Sequence, residues 1–261
     1  VAATKADRWV PIRPGTDGAL ALGIANVLVN ELGSYDEAFL KVQTNAPYLI
    51  GPDGYYVTDS GKPLLWDAAQ GRAVTYDSPA LKSPALEGSY QVDGIAVTPA
   101  FQLLKERLRE YTPDRVQGIT TVPGETVRLL AREWAENARI GSTIPLDGVS
   151  YPHRPVAVVM SKGTGGQKHA ALDAMSLLLL PTLVGAVDVP CANLRDDHAS
   201  YARGHTVPLT QGSDGLVMSV EHPTWSQPQF SSPPVRWDLK EYLPIAYSLG
   251  HILHLTAAEP A

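Results

Sequence analysis

The run Pro155-Val156-Ala157-Val158-Val159-Met160 is apolar at every position, and it constrains the fold more than any other segment. A strand with no polar face has to be covered on both sides, the usual situation of a parallel sheet flanked by helices. It is followed by Ser161-Lys162-Gly163-Thr164-Gly165-Gly166 and then by an apolar helix beginning near Lys168. Strand, glycine loop and helix make an α/β unit. The start of the chain repeats the pattern. Arg8 to Ile12 reads as a short strand that ends at the turn signal Pro14-Gly15. Asp17 is then placed to cap a helix reaching about Glu31, with Leu20, Ile24, Val27 and Leu28 on one face and Gly33 as its stop. The expected class is α/β.

Between these units the texture varies. A short helix is expected from Tyr35 to Val42, with Ser34 as its N-cap. Residues 45–97 are rich in Pro, Gly, Ser and Asp and read as an insertion of loops and short strands. Within it, Gly51-Pro52-Asp53-Gly54 between Tyr48-Leu49-Ile50 and Tyr55-Tyr56-Val57 is a hairpin pattern. Thr98-Pro99 predicts a cap followed by proline in the first helical turn. Phe101, Leu104, Leu108 and Tyr111 then recur at helical spacing, and Thr112-Pro113 breaks that helix. Pro123 opens another, with Val127, Leu130, Ala131 and Trp134 as its buried stripe. Residues 195–261 read as an irregular segment leading into an adjoining domain, because so much loop with so little core needs something else to pack on.

Several function classes are excluded or disfavoured. A net charge of −6 over 261 residues leaves no electrostatic footprint for nucleic acid. A single cysteine, Cys191, excludes a disulfide within the chain and a four-thiolate metal site. The seven histidines show no metal-ligand spacing. The stretch from Ala170 to Val187 is apolar enough to raise a membrane span, yet Asp173, Pro181 and Gly185 interrupt it, so a buried helix and turn are expected instead. No targeting signal is readable, which leaves periplasm and cytoplasm equally open.

Two loops could carry chemistry. At each, glycine lets a ligand approach the backbone, and the following helix presents unpaired N–H groups to an anion. Gly15-Thr16-Asp17 adds a hydroxyl and a carboxylate suited to ribose or to an N–H edge, although most such turns only start a helix. Gly163-Thr164-Gly165-Gly166 is not a dinucleotide fingerprint, since Lys168 stands where the third glycine belongs, and it is not a phosphate-binding P-loop. His169 could face a ligand, or simply sit at a helix terminus. His198, Arg203 and His205 could line a channel, and Asp196-Asp197 reads as a solvated turn.

Taken together these segments resemble the middle of the catalytic subunit of the dimethyl sulfoxide reductase family, the bis-molybdopterin-guanine-dinucleotide enzymes. Ala6-Asp7-Arg8-Trp9-Val10-Pro11-Ile12-Arg13-Pro14-Gly15-Thr16-Asp17-Gly18-Ala19-Leu20-Ala21-Leu22 is similar to the family's "ADxWxPIRPGTDxALALA", and Tyr35-Asp36-Glu37-Ala38-Phe39 to its "YDxxF". Tyr111-Thr112-Pro113 through Val122-Pro123 resembles "YTPExVxxITGVP", and Val127-Arg128-Leu129-Leu130-Ala131 follows as its next helix. Lys162-Gly163-Thr164, with Leu183-Val184-Gly185 and Val189-Pro190, is similar to the strand, loop and "LxALVGNIGVPGG" pattern, except that Cys191-Ala192 replaces the closing glycines. The resemblance covers about 1–45 and 98–194, in the manner of thiosulfate-reductase-like members.

What the resemblance implies is specific. Residues 1–194 would be a portion of a Rossmann-like domain, incomplete on its own, that holds one molybdopterin guanine dinucleotide with Mo or W. Arg13, Gly15, Thr16, Asp17, Gly163 and Thr164 would be its cofactor-binding residues. The metal ligand, the 4Fe-4S cluster motif and the catalytic residues would lie elsewhere in a longer polypeptide. The partners implied are the rest of that polypeptide and an iron–sulfur electron-transfer subunit. The activity implied is two-electron redox chemistry. Alternatives are a non-redox hydratase or transhydroxylase of the same family, and a nucleotide-binding α/β scaffold without catalysis.

Overall fold

The computed structural model describes residues 4–160, 162–193, 209–211 and 217–219. They fall into two compact units. The first holds everything described up to Asn193, and the second holds an antiparallel hairpin, β9 (Leu209–Gln211) with β10 (Val217–Ser219). His198, Arg203, His205 and Asp196-Asp197 lie outside the described residues.

The first unit is organised around helix α1 (Asp17–Asn26), which continues as one π turn over Val27–Glu31. Sequence periodicity predicts a single apolar face, whereas Ala21 through Val29 are buried almost without interruption. A helix that is apolar all round belongs in the middle of a core, and here it does. Around it pack α3 (Ala100–Leu108), α4 (Pro113–Thr120), α5 (Gly124–Ala138) and α7 (Ala170–Leu183), with Phe101, Leu108, Val116, Val127 and Leu179 filling the spaces. Gly23 is where α4 comes closest: a Cβ there would lie 2.7 Å from a methyl of Val116. Gly23→Ala is expected to cost about 1–3 kcal/mol by overpacking, despite alanine's better helix propensity. Urea denaturation showing equal or greater stability would contradict that close contact.

The ends of these helices follow local chemistry. The left-handed Gly33 (φ 61°) ends the π turn. Asp36, not Ser34, caps α2 (Glu37–Gln43), its carboxylate accepting from Phe39 N at 3.0 Å. Thr112-Pro113 does end α3's segment, but it also starts α4: the threonine hydroxyl accepts from Arg115 N, with proline at the first helical position. α7 runs through Pro181 and stops before Gly185 (φ 70°). Among the described residues no helix is long and apolar enough to cross a membrane.

The insertion forms two three-stranded antiparallel sheets. One has the order β1 (Leu49–Ile50), β6 (Ile95–Pro99), β5 (Tyr90–Val92), and the other β2 (Thr58–Asp59), β3 (Lys62–Asp67), β4 (Arg72–Thr75). The hairpin expected around Gly51–Gly54 is present, closed by Gly51 N to Tyr55 O and Val57 N to Leu49 O. Thr98-Pro99 belongs to β6 rather than to a helix start, and α3 begins at Ala100.

Both expected strands, the short one at Arg8–Ile12 and the parallel one at Pro155–Met160, differ from prediction. Neither Arg8–Ile12 nor Pro155–Met160 is in a ladder; every paired strand among the described residues is antiparallel. The first is held by Arg13 N bonding Thr120 O at 2.9 Å and by the bidentate Arg8–Glu133 pair. The second stays extended because Asn193 stands in for a neighbouring strand: its carboxamide accepts from Val158 N at 2.8 Å and donates to Val158 O at 2.9 Å. Val159 is 93% exposed. A strand is stabilised by its neighbours, and the described residues place none beside either segment. The fold is a mixed one of helices and sheets, with its helical core nearest the predicted loops.

Candidate functional site

The structure brings the two predicted loops together. α7 lies along α1 in the same direction: Gly18 N, in the first turn of α1, donates to the carboxylate of Asp173 in the first turns of α7, while Leu183 O at the far end accepts from Asp36 N. Both helix N-termini, with their positive dipole ends, therefore converge.

At the first loop, Gly15 has φ 79°, a conformation that favours glycine. Thr16, not Asp17, is the residue preceding the helix, and its side chain makes no cap; the hydroxyl instead donates to Arg13 O at 2.7 Å and closes the loop. Asp17 opens α1 and is half-buried, while the Arg13 side chain is exposed. At the second loop, Gly163 and Thr164 lie in a single helical turn, α6 (Lys162–Gly165), and not in an open glycine loop. Apart from its chain neighbours and the backbone of its own turn, nothing among the described residues lies within 4 Å of where a Cβ of Gly163 or Gly165 would be, so that side of the turn is open.

Two residues that sequence reasoning passes over hold the loops to each other. Gln167 lays its carboxamide on Gly15, with Oε1 2.6 Å from where a Cβ would stand, and donates from Nε2 to Gly163 O at 3.0 Å. Asp173 packs on Gly18 and accepts from Gly18 N at 3.1 Å through Oδ1. Its other oxygen, Oδ2, is buried and has no partner among the described residues. Asp173 is 6% exposed. A lone carboxylate in the apolar stretch of α7 reads in sequence as an interruption; only its depth marks it as unusual. His169 is exposed at the start of α7, and its carbonyl accepts from Asp173 N.

Burial pushes the Asp173 carboxyl above the usual aspartate range and the Asp17 charge adds to that, while the Gly18 bond and nearby His169 oppose it. A raised carboxyl stabilises the fold fully below the ordinary aspartate value near pH 4, and that contribution is lost as pH rises through the raised value. Asparagine copies the neutral acid and keeps the bond to Gly18. Asp173→Asn is therefore expected to raise Tm at pH 7, with the gain shrinking to nothing by about pH 4. Melting curves across that range that show a pH-independent loss would contradict the assignment.

Other parts of the unit are less suited to a ligand. A depression of 370 Å³ between α2 and the insertion is lined by Tyr35, Glu37, Lys41, Glu87 and Tyr90, and none of the loop residues reaches it. Its charges are already paired, Lys41 with Glu37 and Glu87 with Lys105. Among the described residues no group of His, Cys, Asp and Glu could hold a metal ion. Cys191 is exposed and has φ 67°, a left-handed conformation at a position where the family pattern has glycine.

No family model matches the chain. Among curated proteins it is similar to a sulfite dehydrogenase of Allochromatium vinosum, 34% identical over 211 residues, covering 71% of this chain and 22% of that protein. The alpha chain of the perchlorate reductase of Dechloromonas aromatica is 32% identical over 177 residues, 51% of this chain and 19% of that one. A shorter stretch of 61 residues is 53% identical to dopamine dehydroxylase of Eggerthella lenta, 23% of this chain and 6% of that protein. The chain spans about a fifth of the length of the first two relatives. Acetylene hydratase from Pelobacter acetylenicus superposes on it only loosely, with TM-score 0.39 at 22% identity over 70% of this chain and 15% of that one.

Proposed function

This chain is homologous to part of the catalytic subunits of the dimethyl sulfoxide reductase family, and from that premise we propose that it forms part of the cofactor-holding domain of a molybdenum- or tungsten-dependent oxidoreductase. The group held would be a molybdopterin guanine dinucleotide. When bound, that cofactor supplies the two-electron chemistry, and the protein supplies binding, orientation and electrostatics.

The observation that carries this reading is the convergence of the Gly15-Thr16-Asp17 loop and the Gly163-Thr164 turn, with the unpartnered Oδ2 of Asp173 beside them. A buried polar atom without a partner is rare and needs an explanation. The residues present fit a ligand that combines a polar, hydrogen-bonding edge with a backbone-hugging portion. Gly15 would let the ligand approach the main chain, Thr16 and Asp17 would meet its hydroxyl or N–H groups, and Arg13 would cover it from solvent. Gly163 and Thr164 would border it on the α7 side. Gln167, held by one hydrogen bond to Gly163 O, would move off Gly15 as the ligand arrives.

We further propose that the segments without strand partners belong to a Rossmann-like sheet completed by the rest of a longer polypeptide. The hairpin of β7 (Thr143–Leu146) and β8 (Val149–Pro152) supports this. Its register places Ile144, Tyr151, Leu146 and Val149 on one face, and the last three are well exposed. Such a two-stranded arm is marginal unless its apolar face is covered. A separate iron–sulfur subunit would take the electrons, and a 4Fe-4S cluster would be bound outside this chain.

Elemental analysis of the full-length polypeptide, with acid release of GMP, tests the reading. About one Mo or W and two GMP per polypeptide are expected. A protein produced by a cofactor-competent host that contains no metal and releases no GMP would show the reading to be wrong.

A further inference from the structure

The β7–β8 arm has a second property besides its apolar face, and it lies in the backbone. His153 N donates to Ser142 O at 2.9 Å at the base of the arm. Hydrogen-bonded pairs alternate along an antiparallel ladder, so the next such rungs are Ile144 with Tyr151 and Leu146 with Val149. The backbone polar groups of positions 143, 145, 150 and 152 therefore point away from the hairpin. Two of those four positions are proline, Pro145 on β7 and Pro152 on β8. Each edge is left with one outward N–H, from Thr143 or Ser150, where an added strand needs a row of them. Proline at outward positions guards an edge against pairing.

The face of the arm remains open to a partner. Directly opposed residues share a face, so Ile144, Tyr151, Leu146 and Val149 make one apolar surface. Between Ile140 and Pro152 only Asp147, at the tip, carries a charge. Arg154 Nη1 fixes the base through the carbonyls of Arg139, Ser142 and His153, so the surface is held in one place and less entropy is lost on docking. Four side chains fall well short of the roughly 1,200 Å² that two free-standing proteins bury when they associate. A tethered partner needs no such area, because the tether holds it at an effective concentration on the order of millimolar. The match to the sulfite dehydrogenase spans only 22% of that protein, so a polypeptide of its size has ample further surface. We propose that the arm docks by this face, and not by strand addition, on an uncharged apolar surface elsewhere in the same long polypeptide. This rests on the longer polypeptide proposed above.

The test is hydrogen exchange at single-residue resolution on the full-length polypeptide, purified without other subunits and measured at two protein concentrations. The Ile144, Leu146, Val149 and Tyr151 amides should be protected about a hundredfold or more, equally at both concentrations. The outward Thr143 and Ser150 amides should be at least about tenfold less protected than these. Val149→Lys places a charge on the docked face and should lower protection of the four rung amides about tenfold or more. Unchanged protection of α1 and α5 in that variant separates lost docking from lost folding. Thr143 and Ser150 protected as strongly as the rungs would mean strand addition and overturn the proposal. Protection that rises with concentration would identify a second copy as the occupant, and protection that appears only when another subunit is added would identify that subunit; either overturns it too. If Val149→Lys does not fold, the wild-type pattern decides, and freely exchanging rungs overturn the proposal. Metal and GMP found in a polypeptide whose rungs exchange freely would remove only the docking. Protected rungs in a polypeptide lacking both would remove only the cofactor-holding function.

Discussion

Replacing Arg154 by alanine is expected to destabilise the first unit by about 3–5 kcal/mol, the range for breaking a buried ion pair from one side. Arg154 Nη2 lies 2.8 Å from Asp36 Oδ2, and the two side chains are 6% and 11% exposed. Arg154 Nη1 also donates to the carbonyls of Arg139, Ser142 and His153, at 3.1, 3.0 and 3.1 Å. These carbonyls belong to the end of α5 and the base of the β7–β8 arm. Asp36 caps α2, bonds Leu183 O through its own N–H, and packs on Gly185, where a Cβ would lie 2.9 Å from Oδ2. One guanidinium therefore ties together the arm, α5, α2 and the end of α7.

The consequence of Arg154→Ala is an uncompensated carboxylate together with three lost hydrogen bonds to carbonyls that keep their other donors, rather than one lost contact. Urea denaturation should show a lower midpoint with an unchanged slope. Asp36→Ala should cost a comparable amount, and the double variant much less than the sum, because the second change removes the stranded charge left by the first. Additive losses, or a loss below about 1 kcal/mol for Arg154→Ala, would mean that the pair is solvated in solution.

What can be read from the sequence divides along physical lines. Helix periodicity and turn chemistry are local, so α1, α3, α5 and the Gly51–Gly54 hairpin are found close to where their residues predict. Helix α4 escapes a sequence reading because Thr112-Pro113 both ends one helix and begins the next, and the breaking role is the more obvious. The apolar runs at Arg8–Ile12 and Pro155–Met160 read as strands from composition, but pairing is a property of neighbours, and none of the described residues supplies a neighbouring strand. The loops at Gly15 and Gly163 are each visible separately; that they meet depends on α1 and α7 lying side by side, which no local pattern encodes. Arg154 reaches Asp36 across 118 positions and Asp173 reaches Gly18 across 155. Polar residues with partners so distant look like ordinary surface until the fold buries them.

Asp67 should make the insertion the first part of the chain to open in acid. It ends β3 and is fully buried. Burial by itself would raise its carboxyl, but the hydrogen bonds it accepts outweigh that and hold it down at about 2. Oδ1 accepts from Ala69 N at 2.9 Å and Ser83 N at 3.2 Å; Oδ2 accepts from Lys82 N at 2.8 Å and from the Gln70 carboxamide at 2.6 Å. The carboxylate thus fastens the β3–β4 turn to the strandless loop around Lys82. A lowered carboxyl contributes stability above its unfolded value near pH 4, and loses it as pH falls toward 2. Protection of the Lys82 and Ser83 amides against hydrogen exchange, corrected for intrinsic rates, should therefore fall between pH 4 and 2. In Asp67→Asn the amide nitrogen faces N–H donors on one side, so protection should already be roughly tenfold or more lower at pH 6 and should lose its dependence on acid. Wild-type protection that stays constant from pH 5 to 2.5 would show that this loop is held by something other than the Asp67 charge.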